Sequence, residues 1–206
     1  MCGPFLIFEL TVDYKMIKAA SRLIAIEASK DKENWGPGIR GYHQAVGALV
    51  LALDTGNFSF QLRGPHSDTP NCYGTWGGSV DGAEDLVNAL RRELREETGY
   101  NGEWSVMPLK VSRNGKGFEY HTYFVTVPKQ FVVNPESEFR SESTAAIWTA
   151  FNQWPQPMHP GLKAVLDDPH VQFVLEQALK RRAQNLSTGV KVNAASRLVN
   201  SELSIR

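Results

Sequence analysis

Residues 78–100 constrain this chain more than any other stretch, because a bounded helix, two glycines and a set of acidic residues occur at fixed spacing. The segment follows the pattern G-x5-E-x7-R-E-U-x-E-E-x-G-U, in which U is an apolar or aromatic residue. Seven of its positions are fixed by identity. If each residue type occurs at roughly 7%, chance gives the pattern a probability on the order of 10⁻⁶ in this chain. The pattern is therefore highly specific.

The same segment predicts an α-helix over residues 86–98. Asp85 is a favourable N-cap, and Gly99 suits the left-handed position that follows a helix. At about 100° per residue, three apolar side chains form one stripe that is expected to face the core. This stripe consists of Val87, Leu90 and Leu94.

Three carboxylates, those of Glu93, Glu96 and Glu97, converge beside that stripe. Like charges at this spacing destabilise a helix by about 0.2–0.5 kcal/mol per pair. A divalent cation would remove the repulsion. Mg²⁺ prefers oxygen ligands and commonly binds a few carboxylates and the substrate phosphates at the same time. Arg92 is expected to pair with Glu96 at i,i+4 and orient it. A solvated acidic face would explain a lone E-x-x-E-E, but the full spacing favours a metal site.

The segment resembles the Nudix box, the signature of hydrolases that act on nucleoside diphosphates linked to another moiety. The resemblance implies Glu93, Glu96 and Glu97 as metal ligands, with the Gly77 carbonyl as a further one. It also implies that Glu84 and Gly78 support the site, and that Mg²⁺ is the cofactor, with Mn²⁺ as a substitute. In the family, a glutamate within or beyond the box deprotonates the attacking water. Glu93 is our first candidate, and the predicted catalytic residues are Glu93, Glu97 and Arg92.

The resemblance covers roughly residues 43–166. The stretch AVGALVLALDTGNFSFQLRG looks like the two strands that lead into many Nudix domains, and YGTWGG resembles the usual approach to the box. Trp76 stands where proline is common. The implied fold is α+β, a Nudix-type α/β/α sandwich with a mixed β-sheet between helices.

We divide the chain into an N-terminal extension (1–40), a hydrolase domain (41–184) and a C-terminal tail (185–206). Apolar or alternating runs predict strands at AVGALVLAL, FSFQLRG, WSVMPLKV, FEYHTYFVTV and AAIWTAF. QWPQPMHPGL is interpreted as a proline-rich loop. A second helix is expected to start after Asp168, with Pro169 in its first turn.

Residues outside the box must recognise the rest of the substrate. Tyr73 and Trp76 are candidates to stack on a base, although core packing of their loop is the alternative. Arg63 is a candidate to hold a phosphate, and a structural ion pair is its alternative. Two histidines, His121 and His159, are tempting acid–base groups, but a lone histidine is more often structural.

A distal glutamate often supplies a further metal ligand or the base in this family. Four carboxylates beyond the box are candidates, and each of them alone could equally be a solvated surface group. They are Glu119, Glu136, Glu138 and Glu142.

Composition limits the partners. The formal net charge is zero, so no global field attracts nucleic acid or an anionic membrane. No apolar run approaches the roughly 18 residues of a membrane span. Two cysteines, Cys2 and Cys72, are expected to be free thiols in a reducing compartment, which favours a cytoplasmic location. Because the N-terminal extension (1–40) can pack at an interface between two copies of the chain, a homodimer is among the expected assemblies.

The sequence thus predicts a pyrophosphohydrolase for a nucleotide-like small molecule such as a nucleoside triphosphate, ADP-ribose or a dinucleotide. A non-catalytic module that senses a nucleotide and an enzyme that acts on an RNA 5′ end remain the alternatives. The box specifies a diphosphate and a metal, but not the base, the sugar or the second group.

Overall fold

Six strands form one mixed sheet in the computed structural model, which describes residues 43–82, 84–114, 117–134 and 143–187. The strands are β1 (His43–Ala52), β2 (Phe58–Arg63), β3 (Tyr73–Gly74), β4 (Ser105–Arg113), β5 (Phe118–Val127) and β6 (Ser143–Thr149). The helices are α1 (Leu86–Thr98), α2 (Pro160–Leu166) and α3 (Pro169–Ser187). All five predicted strands are present, and β3 is an additional short one.

The strand order is β3-β2-β1-β5-β4, and β6 also pairs with β2. β1 runs parallel to β5 and antiparallel to β2, so the sheet is mixed as predicted. Because successive side chains of a strand point to opposite faces, β1 supplies two cores. Val46 and Val50 pack with Leu90 of α1, whereas Leu49 packs with Leu175 of α3. The predicted α/β/α sandwich is confirmed.

One edge of β1 is shared between two partners. At its C-terminal end, Leu51 pairs with Phe58 of β2. At its N-terminal end, the segment after β3 takes the place of β2, because the Val46 amide donates to the Gly78 carbonyl at 2.9 Å. β2 meanwhile diverges and pairs with β3 through Gln61 and Gly74. This divergence opens the sheet beside Gly77 and Gly78, where the box starts.

Both predicted ends of α1 are confirmed. The Asp85 side chain accepts hydrogen bonds from the amides of the first turn, and Gly99 adopts φ 71°, which is left-handed. The predicted burial of Val87 is wrong. Its side chain lies in the first turn and is 37% exposed, and the buried face of the helix starts at Ala89.

The region around residue 160 also differs from the prediction. The second part of the predicted proline-rich loop forms α2, which starts at Pro160. His159 caps it by accepting a hydrogen bond from the Gly161 amide at 3.1 Å. Asp168 caps the predicted helix α3, since its side chain accepts from the His170 amide at 2.9 Å. None of the helices in the described part of the chain is long and apolar enough to span a bilayer.

Candidate active site

Arg92 organises the acidic residues of α1. Its Nη1 donates to Glu93 Oε1 at 2.8 Å and to Glu96 Oε2 at 3.1 Å, so the predicted i,i+4 pair is present. Its Nη2 donates to Glu84 Oε2 at 3.1 Å and to the Ser79 carbonyl at 2.9 Å. The hydrogen bond from Arg92 lowers the pKa of Glu84. One guanidinium therefore holds three box carboxylates against the segment that precedes the helix.

Glu97 is the most buried of the acidic residues, with 2% of its surface exposed. Its Oε2 accepts a hydrogen bond from the Gly77 amide at 2.6 Å. Its Oε1 lies 3.4 Å from Gln61 Nε2, which donates to it from β2. The carboxylate thus sits in the gap where β1 and β2 diverge. A buried carboxylate needs such donors, because its desolvation is otherwise costly.

The two glycines allow the backbone to reach these carboxylates. A Cβ on Gly78 would lie 2.7–2.9 Å from the carboxylate atoms of Glu93. Gly77 has φ +146°, and a Cβ there would lie 2.0 Å from the Val46 carbonyl oxygen of β1. Any other residue at these positions would displace either a box carboxylate or the backbone of the central strand.

The chemistry of this donor set fits a hard divalent cation, because Glu93, Glu96 and Glu97 offer only oxygen ligands. Across the described residues, no three acidic, histidine or cysteine side chains are already gathered as a metal-binding group. The present partners of the carboxylates are the guanidinium, amide and side-chain donors described above. A bound cation would add a further counter-charge to those donors.

A cavity of about 730 Å³ opens beside Glu97. This volume lies within the 300–1,000 Å³ that is usual for small-molecule sites. Its lining combines the box with both divergent strands, with β5 and with α2. The lining includes Gln61, Arg63, Thr75, Glu97, Tyr120 and Thr122.

Arg63 lines the cavity, as its predicted role requires. Its stem passes over Gly74, and its Nε donates to the Thr69 carbonyl at 3.1 Å. It also forms an ion pair with Asp68, whose side chain is 77% exposed. Exposed ion pairs contribute only about 0–1 kcal/mol, so an anionic ligand can compete with this carboxylate. Both alternatives that the sequence left open, an anion site and a structural pair, are compatible with this geometry.

The prediction that Trp76 stacks on a base is wrong in this structure. Its side chain is fully buried in the core on the α1 face, and its Nε1 donates to Ser59 Oγ at 3.0 Å. Tyr73 is partly buried and packs against the apolar cluster on the other face of the sheet. Their alternative interpretation, core packing of the loop, describes both residues.

Glu119 is buried in a polar group on β5 and β4. Its Oε1 accepts from Arg113 Nε at 2.6 Å, and its Oε2 lies 3.1 Å from His121 Nε2. His121 in turn lies 3.4 Å from Gln44 Nε2. The other three distal candidates lie outside the described residues: Glu136, Glu138 and Glu142.

His159 lines the cavity next to Arg63 and caps α2. Burial, and then the nearby charge of Arg63, lower its pKa, so the ring is neutral near pH 7 and can accept the Gly161 hydrogen bond. Cys72 is buried and donates to the Thr69 carbonyl, and burial raises the pKa of its thiol. It is a free thiol, as predicted.

Among the cavity residues that were not singled out from the sequence are Gln61, Thr75, Tyr120 and Thr122. A weak signal was available for the pair on β5. Tyr120 and Thr122 alternate with their neighbours in FEYHTYF, so they share one face of that strand. Gln61 and Thr75 depend on the divergence of β1 and β2, which is a long-range feature that local spacing does not encode.

Known proteins with similar structures share this fold. A MutT Nudix hydrolase from Burkholderia pseudomallei is 24% identical, with TM-score 0.51, covering 63% of this chain and 99% of that protein. A Nudix hydrolase from M. smegmatis is 19% identical, with TM-score 0.51 and coverages of 75% and 97%. The ORF135 protein of E. coli is 24% identical, with TM-score 0.50 and coverages of 68% and 97%.

A search of curated proteins found no match to the chain. The model of the NUDIX domain, in contrast, matches residues 41–168, which is more than half of the chain. The matched range contains the helix with the buried carboxylates, the glycines and the cavity described above. The chain therefore belongs to the Nudix superfamily of hydrolases, which act on phosphoric anhydride bonds.

Proposed function

We propose that this protein is a Mg²⁺-dependent pyrophosphohydrolase that cleaves the diphosphate linkage of a nucleoside diphosphate derivative. The observation that carries the proposal is the buried acidic face of α1, with Glu97 lining the 730 Å³ cavity. An ordinary amphipathic helix exposes its carboxylates, since burying them unpaired is costly. A diphosphate and its counter-ion fit this combination of buried acid and open volume.

The proposed metal ligands are Glu93, Glu96 and Glu97, with the Gly77 carbonyl as a further one. Mn²⁺ is proposed as a substitute for Mg²⁺. When bound, the ion would neutralise phosphate oxygens and lower the pKa of a bound water. Arg92 would keep the carboxylates oriented, as it does through its hydrogen bonds to Glu93 and Glu96.

In the proposed reaction, the oxygen of a water molecule attacks one phosphorus of the diphosphate. A carboxylate, with Glu93 as first candidate, accepts the proton of that water. The bond between the phosphorus and the bridging oxygen breaks, and the electron pair leaves with the departing phosphate. Arg63 follows Gln61 by two positions on β2. It would bind phosphate oxygens on the side of Gln61 that faces away from Glu97.

The test is a turnover screen of the purified 206-residue protein with nucleoside triphosphates, ADP-ribose, NADH and dinucleoside polyphosphates. We expect hydrolysis that requires Mg²⁺ or Mn²⁺ and stops with EDTA. Reaction in ¹⁸O-labelled water, followed by mass spectrometry of both products, would identify the phosphorus that is attacked. Tight binding of these compounds without turnover would instead support the sensing module.

A matched pair of variants links the activity to the site. Glu97→Gln is expected to lower kcat at least about 1,000-fold, a loss of about 4 kcal/mol of transition-state stabilisation. Glu103→Gln makes the same chemical change at an exposed position after α1 and should leave kcat unchanged. Equal activity of Glu97→Gln and the wild-type protein would rule out the proposed mechanism.

A further inference from the structure

Gln61 carries a buried amide to which the proposed mechanism gives no role. It lies on β2 where this strand turns away from β1, and only 3% of its surface is exposed. Its Nε2 donates to the Thr75 carbonyl at 2.6 Å and to Glu97 Oε1 at 3.4 Å. Its Oε1 accepts from Ser143 Oγ at 2.5 Å. Both ends of the amide are therefore bound, and one of its partners is a proposed metal ligand.

The network around Gln61 determines which end of the amide faces Glu97. A main-chain carbonyl and an ionised carboxylate only accept hydrogen bonds, so the NH₂ end has to face Thr75 and Glu97. A reversed amide would place its oxygen against the oxygens of both acceptors. Ser143, at the start of β6, favours the same orientation because its hydroxyl donates to the amide oxygen.

Glu97 receives neutral hydrogen-bond donors, in contrast to Glu93 on the same helix. Glu93 accepts from the guanidinium of Arg92, which carries a full positive charge. The amides of Gly77 and Gln61 donate to Glu97, one to each oxygen. An ionised carboxylate offers about four lone-pair sites, so a cation can join these two donors. The two amides orient the carboxylate and bring no positive charge that would repel the cation.

The two donors constrain Glu97 in different ways. The bond from the Gly77 amide is short, at 2.6 Å, and fixes the position of Oε2. The bond from Gln61, at 3.4 Å, is longer than the usual 2.7–3.2 Å. It therefore engages Oε1 weakly, but it limits the rotation of the carboxylate about its last bond. A metal ligand is held in its binding orientation by such outer hydrogen bonds.

We infer that Gln61 is a positioning residue of the metal site, which holds Glu97 in the orientation that binds the ion, and that Ser143 fixes the amide of Gln61 for this purpose. The inference rests on the proposed function, because it takes Glu97 as a ligand of Mg²⁺. Removing a group of this kind typically costs about 10- to 100-fold in metal affinity or activity.

The test measures the binding of Mn²⁺ alone, without substrate, by electron paramagnetic resonance of the free ion. Gln61→Met keeps the length of the buried side chain and removes both of its hydrogen-bonding groups. We expect the Kd for Mn²⁺ to rise about 10- to 100-fold. The Mg²⁺ concentration that gives half-maximal turnover should rise by the same factor. A purely structural role would lower the folded fraction and leave the Kd of the folded molecules unchanged.

Gln172→Met is the matched control. Gln172 is a half-buried glutamine of α3, and its Nε2 also donates to a main-chain carbonyl, that of Leu166. The same substitution therefore removes a hydrogen bond of the same kind, but Gln172 does not line the cavity. The variant should leave the Kd for Mn²⁺ at the wild-type value. An equal rise of this Kd in both methionine variants would overturn the inference.

Ser143→Ala keeps the test decisive if Gln61→Met does not fold. It removes the hydroxyl that donates to the amide oxygen of Gln61, at a position that is only partly buried. The Kd for Mn²⁺ should then rise about 2- to 10-fold, which is the effect of one hydrogen bond. An unchanged Kd in this variant, or in a folded Gln61→Met protein, would overturn the positioning role.

These outcomes are separate from the fate of the hydrolase proposal. If the Kd is unchanged and the wild-type protein hydrolyses a substrate with Mg²⁺, the role of Gln61 is wrong and the hydrolase proposal stands. If the Kd rises but no compound in the screen is turned over, Gln61 positions a metal ligand in a protein that is not the proposed enzyme. Failure of the wild-type protein to bind Mn²⁺ would overturn the role of Gln61 together with the proposed metal site.

Discussion

Helices α1 and α3 cover opposite faces of the same sheet, and each starts at an aspartate cap, but they bury different chemistry. α3 buries Val171, Val174 and Leu175, as an amphipathic helix should. α1 buries three carboxylates in addition to its apolar residues. The contrast teaches that α3 is explained by folding alone. The buried carboxylates of α1 need a further explanation, which the proposed metal site supplies.

The comparison predicts that replacing an acidic residue of α1 lowers kcat, whereas replacing one of α3 changes neither kcat nor the unfolding free energy. Glu93→Gln should lower kcat about 1,000-fold, which corresponds to about 4 kcal/mol. Its unfolding free energy in urea should change by less than about 1 kcal/mol, because Arg92 retains Glu84 and Glu96. Glu176→Gln, the same change on an exposed position of α3, should alter neither quantity. A comparable kcat loss in both variants would erase the distinction between the helices.

The reverse effect is expected from the apolar face of α3. Leu175 is fully buried, so Leu175→Ala should lower the unfolding free energy by about 2–5 kcal/mol. The kcat per folded molecule should stay at the wild-type value, since Leu175 does not line the cavity. Leu186→Ala, at a 56% exposed position of the same helix, should cost less than about 0.5 kcal/mol. A stable but inactive Leu175→Ala protein would contradict the assignment of α3 to folding.

Gly78→Ala should separate function from stability at the edge of α1. The added Cβ would displace the Glu93 carboxylate, which is the flexible end of a side chain. We expect kcat to fall about 100-fold, as for a catalytic group misplaced by about 1 Å, with little change in the urea midpoint. Gly82→Ala is the control, because a Cβ there meets no atom within 4 Å although its φ is +51°. It should lose a little stability and keep its kcat.

The smallest effect concerns the cap of α3 and depends on pH. Lys110 Nζ lies 2.7 Å from Asp168 Oδ2, and this hydrogen bond is the main cause of the lowered Asp168 pKa. A lowered pKa stabilises the fold above the ordinary value of 3.8, and the contribution is lost as the pH falls through the folded-state pKa. Asp168→Asn should therefore be less stable by about 1 kcal/mol at pH 7 and equally stable near pH 2.

Urea titrations at both pH values would measure that difference. Asp167→Asn is the control, because its ion pair with Lys163 is 60% exposed on both sides. Its effect should be near zero at either pH. If Asp168→Asn lowers the unfolding free energy equally at pH 7 and at low pH, the charge of Asp168 contributes nothing and only its hydrogen bonds as a helix cap stabilise the fold.

Local chemistry explains what the sequence could predict. The ends of α1 follow from Asp85 and Gly99, and the alternation of the strands fixes the faces of the sheet. Arg92 and Glu96 meet because four residues make about one helical turn. These features depend on neighbours in the chain, so spacing alone was sufficient for them.

Features that depend on distant segments were missed. Base stacking and core packing were both open for Trp76, and only the contact between its Nε1 and Ser59 Oγ of β2, which is distant in sequence, decides for the core. The helix at Pro160 carries its signals, a capping side chain and a proline, within a proline-rich stretch that also suits a loop. The register of Thr122 with Gly47 depends on the parallel pairing of β1 with β5, which no local pattern reveals. The homodimer, the cytoplasmic location and the division of the chain into three segments stay predictions.

The sharing of β1 between distant partners also bears on how the chain folds. β1 is almost wholly apolar, and one of its edges is covered along its full length by β5, from His43 opposite Phe118 to Ala52 opposite Val127. During synthesis, a ribosome must therefore deliver β2, the box helix and β4 before that edge can be paired. Until then the nascent chain carries an apolar strand with an unpaired edge, and such edges promote aggregation, so we expect the pairing of β5 to complete the native topology.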